Sequence, residues 1–96
     1  MRNLALLLGL LAAAPLPAQQ VNWQTFQTRF DQLCEQGDFL SAKTLITEAL
    51  DTLNPEQDLH GAGSLLWLLG LIEHTLGNFD EAGLRFRAAT SALERA

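Results

Sequence analysis

Cys34 and His74 are the side chains whose chemistry would suit catalysis, as a thiol nucleophile and an imidazole base. Such a pair also needs an oxyanion hole and a group that orients the base, and no segment of the sequence has the pattern of either. Cys34 is the only cysteine, so it has no disulfide partner within the chain. It either pairs between chains or packs as a small apolar side chain. The sequence therefore predicts a protein that is not an enzyme.

The two histidines, His60 and His74, are candidates for a second kind of chemistry, the binding of a metal ion. Both fall in one predicted helix, where a rise of about 1.5 Å per residue separates them by roughly 21 Å. They are too far apart to share an ion, and no Cys/His spacing in the chain resembles a zinc site. We expect neither a metal nor a cofactor.

The charge balance of the chain is acidic. Six Lys and Arg residues stand against eleven Asp and Glu residues, which gives a formal net charge of −5. An acidic surface repels phosphate backbones, and the sequence has no stripe of basic residues that would reverse this effect. We therefore expect no nucleic acid among the partners.

Residues 1–18 have the layout of a secretory signal peptide. Arg2 gives a basic start, an apolar run follows, Pro15 ends it, and the small residue Ala18 suits the cleavage site. Cleavage would leave a domain of residues 19–96, exported to the periplasm or the extracellular space. The alternative is an uncleaved anchor on a membrane-tethered structural or assembly subunit. A spanning helix needs about 20 apolar residues, and Pro15 cuts this run short, so membrane contact is expected only if the segment is retained.

Apolar residues at spacings of three and four predict an all-α domain of four helices, with no strand alternation. The first helix is expected over about 23–36, with Asn22 as its N-cap. Gly37 ends it, because glycine tolerates the left-handed conformation of a helix terminus. Asp38 then caps the second helix, over about 39–53.

The third and fourth predicted helices surround a second glycine turn. The third is expected over 55–76, since Pro55 suits a first helical position, and its segment 65–72 is apolar on nearly every side. An all-round apolar helix must lie between others, so it should be the centre of the packing. After the turn, Asn78 and Glu81 have the spacing of a capping box for the fourth helix. Its apolar stripe comprises Ala82, Phe86, Ala89 and Leu93.

The two helix pairs carry similar residues at matching positions, forty residues apart. In the second pair these are Leu69, Gly70, Gly77, Phe79, Ala82, Phe86 and Ala89. In the first they are Arg29, Phe30, Gly37, Phe39, Ala42, Ile46 and Ala49. This pattern resembles the tetratricopeptide repeat, which has a usual period of about 34 residues.

The resemblance implies a short right-handed α-solenoid of antiparallel helix pairs, with repeat one over about 22–53 and repeat two over about 54–96. We assign the extra residues of the longer period to an early start of the third helix. The sequence departs from the repeat pattern at Phe30, where a small residue is expected, and at Glu73, where a tyrosine is usual. An unrelated four-helix bundle is the alternative architecture.

In tetratricopeptide repeat proteins the first helix of each pair lines a concave groove that binds peptides or extended segments of partner proteins. Carried over to this chain, the groove positions are Gln24, Gln27, Asp31, Glu35, Ser64, Trp67, Leu71 and His74, with Cys34 and His60 beside them. No lysine is among them, so a clamp for a partner's terminal carboxylate is not expected. Asp31, Glu35 and Trp67 instead suit an apolar or basic segment.

The functional prediction is a non-enzymatic protein–protein interaction module of the cell envelope or exported space. Two repeats are fewer than the three that repeat arrays usually need for stability. We therefore also expect marginal stability and a tendency to form a homo-oligomer.

Overall fold

The computed structural model describes residues 21–96, which form four α-helices and contain no strand. The helices are α1 (Trp23–Glu35), α2 (Phe39–Thr52), α3 (Leu59–Thr75) and α4 (Phe79–Arg95). Each helix packs on the next one along the chain, and the contact between α3 and α4 is the most extensive. The all-α prediction is therefore confirmed for this part of the chain. The predicted signal peptide, residues 1–18, lies outside the described residues. No described helix is long and apolar enough to cross a membrane.

The turns that follow α1 and α3 have the same geometry. Gly37 has a φ of 72° and Gly77 a φ of 88°, in the left-handed region that favours glycine. The amides of the next residues, Asp38 and Asn78, each donate to the carbonyl five residues earlier, at 2.9 and 2.8 Å. This closure is a Schellman motif. Because each turn reverses the chain within three residues, α2 folds back along α1, and α4 folds back along α3.

Gly77→Ala is expected to lower the free energy of unfolding by about 1 kcal/mol, because an L side chain resists a positive φ. A Cβ at this position would meet no atom within 4 Å, so the loss is purely conformational. Gly83→Ala is the matched control, since Gly83 lies inside α4 and a Cβ there would meet only Nη1 of Arg87, at an ordinary contact distance of 3.9 Å. That change should raise stability by roughly 0.5–1 kcal/mol. Urea unfolding followed by circular dichroism measures both, and equal effects of the same sign would contradict the prediction.

The core lies where α3 packs between α2 and α4. Ile46 of α2 and Leu65 of α3 are fully enclosed, each with 0 % of its surface exposed. Phe26 brings α1 onto the same cluster. Where helices approach closely the buried side chains are alanines: Ala42, Ala62, Ala82, Ala89 and Ala92. As predicted, the apolar segment 65–72 supplies the central helix.

The third helix begins at Leu59, so the predicted start at Pro55 is wrong. Asn54 caps only a single turn, in which the amide of Asp58 donates to the Asn54 carbonyl at 3.0 Å. The Asp58 carboxylate then caps α3 by accepting a hydrogen bond from the amide of Gly61 at 2.7 Å. Two capping residues four positions apart divide the segment, and the second one starts the helix. The extra residues between the two helix pairs therefore form a separate turn rather than an extension of α3.

The predicted capping box at the start of α4 is also wrong. Asn78 is the N-cap residue, but its side chain makes no capping bond. Its Nδ2 atom instead donates to Oε1 of Glu73 at 3.0 Å, because that buried carboxylate needs donors. Glu81 faces the other way and lies 3.5 Å from Arg85, one turn along α4.

Candidate partner-binding site

The eight predicted partner-binding residues lie on two accessible helix faces. The four on α1, which are Gln24, Gln27, Asp31 and Glu35, are all exposed. On α3, Trp67, Leu71 and His74 are exposed and Ser64 is half-buried. The buried residues of the two helices, such as Phe26 and Leu65, lie on the opposite sides. On these two helices the predicted positions and the buried positions therefore lie on different sides.

The beginnings of α1 and α3 meet at a cleft of about 280 Å³. Its lining comprises Trp23, Asp58, His60, Gly61 and Ser64. Helical spacing puts Trp23 on the same apolar side of α1 as Phe26, but 41 % of its surface is exposed. Its indole packs against the Phe26 ring in a T-shaped arrangement, with the centroids 6.0 Å apart. At this end, then, the first helices of the two pairs share one accessible surface.

Other clefts lie on the far side of α1, between α1 and α2. The largest, of about 420 Å³, is lined by Arg29, Leu33, Ser41, Thr44, Leu45 and Glu48. A second, more apolar cleft of about 270 Å³ continues it toward Val21. Since Arg29 and Leu33 project from α1 opposite to Gln27 and Asp31, these clefts do not include the predicted face.

The charge on the exposed face of α1 is negative. Nε2 of Gln27 lies 3.2 and 3.4 Å from the two carboxylate oxygens of Asp31, one turn further on. The amide orients this carboxylate without neutralising it, and Glu35 follows on the same side of the helix. The face offers fixed acidic acceptors to a positively charged ligand.

Two aromatic rings of α4 lie against the exposed face of α3. The ring of Phe86 packs against Trp67 with the centroids 4.9 Å apart, and the ring of Phe79 meets His74 edge-on at 5.0 Å. Phe79 is 62 % exposed because it lies at the start of α4, beside His74 rather than over the core, whereas its counterpart Phe39 is half-buried. The predicted binding positions lie on α1 and α3 only, and the contribution of α4 to this surface was missed.

Cys34 and His74 do not have the environment of a nucleophile and its base. Burial raises the pKa of the Cys34 thiol, and the negative charge of Asp31 raises it further. A reactive cysteine needs the opposite shift, toward the thiolate. The His74 imidazole, for its part, packs on Phe79.

A buried carboxylate, Glu73, joins the two helix pairs and was missed as a structural group. Its side chain is 2 % exposed, and its Oε1 atom lies 3.2 Å from Nζ of Lys43 on α2. Asn78 donates to the same oxygen. Burial by itself would raise the pKa of Glu73, but the hydrogen bonds from Asn78 and Lys43 and the charges of Lys43 and Arg85 outweigh it and hold that pKa below its usual value. The sequence signals were a single acid directly after the apolar segment and its departure from the tyrosine that is usual at this position of the repeat.

Within residues 21–96, no group of three His, Cys, Asp or Glu side chains is close enough to hold a metal ion. The chain was also compared with protein-family models, curated proteins and solved structures. None of the three comparisons found a match. The function is therefore inferred from the geometry of the chain itself.

Proposed function

We propose that the two helix pairs, over about 22–53 and 54–96, are tetratricopeptide-like repeats that stack as a short right-handed solenoid. The two identical Schellman turns support this proposal, because they place equivalent glycines at equivalent points of two successive helix pairs. The order of packing supports it as well, since each helix contacts its neighbours in the chain, as repeat stacking requires. The separate turn at Asn54 accounts for the longer period.

We further propose that the module binds a segment of a partner protein on the exposed faces of α1 and α3. One observation carries this proposal: Trp67 is 50 % exposed on the helix that otherwise forms the centre of the core. Tryptophan is enriched at the energetic centres of protein interfaces, where a large, rigid ring meets a partner. Leu71, one turn further, is 42 % exposed and extends the same surface. The proposed location, the periplasm or extracellular space, is supported by the signal-peptide pattern of residues 1–18.

Trp67→Ala is expected to weaken partner binding by about 2 kcal/mol or more, which is roughly thirtyfold, because truncation removes the largest accessible ring of the face. The measurement is recovery of proteins from the native envelope fraction on immobilised wild type and variant, with helicity followed by circular dichroism. Helicity should stay unchanged, since half of the Trp67 side chain is already in solvent.

Leu40→Ala is the control, because Leu40 is 68 % exposed on α2, away from the proposed face. Leu40→Ala should recover as much of the partner as the wild type does. If Trp67→Ala and Leu40→Ala retain the partner equally, the face does not bind it. If Trp67→Ala instead loses helicity, Trp67 acts in the core.

A further inference from the structure

An aromatic belt runs along the junction of α3 and α4, and we define it as Trp67, Leu71, His74, Phe79 and Phe86. Its α3 members recur at intervals of four and three residues, so they form one stripe, and its α4 members are seven residues apart on one face. The two ring contacts, Trp67 with Phe86 and His74 with Phe79, connect the stripes at both ends. The belt is one continuous apolar surface.

Gly70 fixes the position of the belt on the scaffold. A Cβ atom at this residue would stand 2.5 Å from Cε1 of Phe86, so the phenyl ring lies directly on the α3 backbone. Trp67, one turn earlier, packs against that same ring. The rings are therefore held in place before any ligand arrives, which reduces the entropy lost on binding.

The size of the belt indicates what kind of partner it accommodates. Trp67 is 50 %, Leu71 42 % and Phe79 62 % exposed. Because a whole aromatic side chain offers about 150–250 Å², the belt presents a few hundred Å², below the roughly 800 Å² that each partner buries in a stable interface between folded domains. One or two large side chains of a short peptide segment would cover this area. It is too small for a stable interface with a second copy of the chain.

The exposed acids of α1 come level with this belt. Helices α1 and α3 run in the same direction, since α2 reverses the chain between them, and Trp23 and Ser64 share one cleft at their beginnings. At about 1.5 Å per residue, Asp31 and Leu71 both lie roughly 11 Å along their helices from that cleft. Glu35 in turn comes level with His74. Helices α1 and α3 do not pack directly on each other, so a ligand bound to the belt reaches these carboxylates by extending across to α1 at the same level.

The contacts of the basic residues also favour a positively charged ligand. Lys43, Arg85 and Arg95 are each within 4 Å of a carboxylate on another residue. Arg29 projects from the opposite side of α1, toward the clefts shared with α2, and Nη1 of Arg87 lies 3.9 Å from the position that a Cβ of Gly83 would take on α4. Asp31, by contrast, is held only by the neutral amide of Gln27 among the described contacts. Negative charge is therefore what the surface next to the belt offers to a ligand.

We infer that the belt binds a basic peptide segment of a partner protein, with a large apolar side chain on the Trp67 and Phe86 rings and flanking Lys or Arg residues paired with Asp31 and Glu35. The inference rests on the proposed function and specifies its ligand. Acidic side chains beside an apolar anchor site give charge selectivity as well as faster association, and both effects weaken as salt is added.

The test uses the purified protein with Trp23→Phe, so that Trp67 alone reports by fluorescence. The probes are three short blocked peptides without tryptophan. The first has lysines on both sides of a central Leu-Phe pair, the second has glutamates in place of the lysines, and the third keeps the lysines but has serines at the centre. We expect the first to change Trp67 fluorescence, with an affinity that falls as salt rises, and the other two to bind roughly tenfold more weakly or not at all.

Two matched double variants test whether the acidic residues of α1 are the ones that attract the lysine peptide. Asp31→Lys with Glu35→Lys should weaken the first peptide by roughly tenfold or more, whereas Asp51→Lys with Glu94→Lys makes the same change of net charge elsewhere and should alter binding by less than about twofold. Equal effects of the two pairs, or equal binding of the lysine and glutamate peptides, would overturn the inference. If no peptide changes the fluorescence of Trp67, but Trp67→Ala still weakens recovery of the native partner, the inference fails and the proposed function stands. If Trp67→Ala leaves recovery of the native partner unchanged, the proposed function fails instead.

Discussion

Leu65→Ala is expected to lower the free energy of unfolding by about 3 kcal/mol, within the range of roughly 2–5 kcal/mol typical of this change in a core. Leu65 is 0 % exposed on α3, the helix that packs on both α2 and α4. Truncation loses the buried methyl groups and leaves a cavity that three helices would have to close together. A domain of this size has a small core, so a loss of this magnitude is a large fraction of its total stability.

Urea unfolding of wild type and variant, followed by circular dichroism, measures this loss, and the slope of the transition shows whether the unfolding remains cooperative. Leu84→Ala is the matched control, since Leu84 is 51 % exposed on the solvent side of α4. It should change stability by less than about 0.5 kcal/mol. If Leu65→Ala were no more damaging than Leu84→Ala, α3 would not be the centre of the core.

The fold could be predicted to this extent because apolar spacing and glycine turns are local signals. The segment 65–72 is apolar on nearly every side, which predicts a central place in the packing. Leu65, Leu69 and Ile72 are buried there, while Trp67 and Leu71 stay exposed on its outer side. Gly37 and Gly77 end their helices for a reason that belongs to the residue itself, namely access to a positive φ. These predictions needed no knowledge of which residues meet in space, and they are confirmed.

The start of α3 could not be predicted from local signals, because two of them compete. Asn54 followed by Pro55 has the pattern of a helix start, and so does Asp58. Which one prevails depends on what the helix packs against. The first turn of the longer alternative would lie before the buried segment that begins at Gly61, where α3 joins the core. The shorter helix is the one that packing supports.

The environment of the Glu73 side chain could not be predicted from local signals either. At the end of an apolar segment, a single acid fits the pattern of a helix turning toward solvent, and Asn78 fits that of an N-cap. Only the packing of α2 on α3 places Lys43 next to the carboxylate. Asn78 is then drawn away from its capping role. The belt was missed in the same way, because Phe79 and Phe86 reach the face of α3 only once α4 has folded back.

Lys43→Met is expected to lower the free energy of unfolding at neutral pH by about 2 kcal/mol, because the buried carboxylate of Glu73 loses its ion-pair partner and keeps only the amide of Asn78 and the more distant charge of Arg85. Removing one member of a fully buried ion pair costs about 3–5 kcal/mol. Here the Lys43 side chain is 39 % exposed, so water screens part of the interaction and the loss should be smaller. Methionine preserves the apolar stem, so the change reports on the charge.

The pH dependence distinguishes the ion pair from packing. Because the folded-state pKa of Glu73 is lowered, its ionisation stabilises the fold above the unfolded-state pKa of about 4.3, and this contribution is lost as pH falls through the folded-state pKa. In Lys43→Met, burial has less opposition and the pKa of Glu73 should rise, so protonation relieves part of the damage. The stability difference between wild type and Lys43→Met should therefore shrink as pH is lowered from about 6 to 3.

Urea unfolding across this pH range, with Glu73→Gln and the double variant Lys43→Met with Glu73→Gln, completes the measurement as a double-mutant cycle. Glutamine keeps an acceptor for Asn78 but carries no charge, so Lys43→Met should cost much less in that background. A loss that is independent of pH, and equal in the two backgrounds, would mean that Lys43 contributes through its methylene groups alone. The predicted coupling instead makes Glu73 the group through which the first helix pair stabilises the second. Acid should then weaken the contact between α2 and α3, which is the junction of the two pairs.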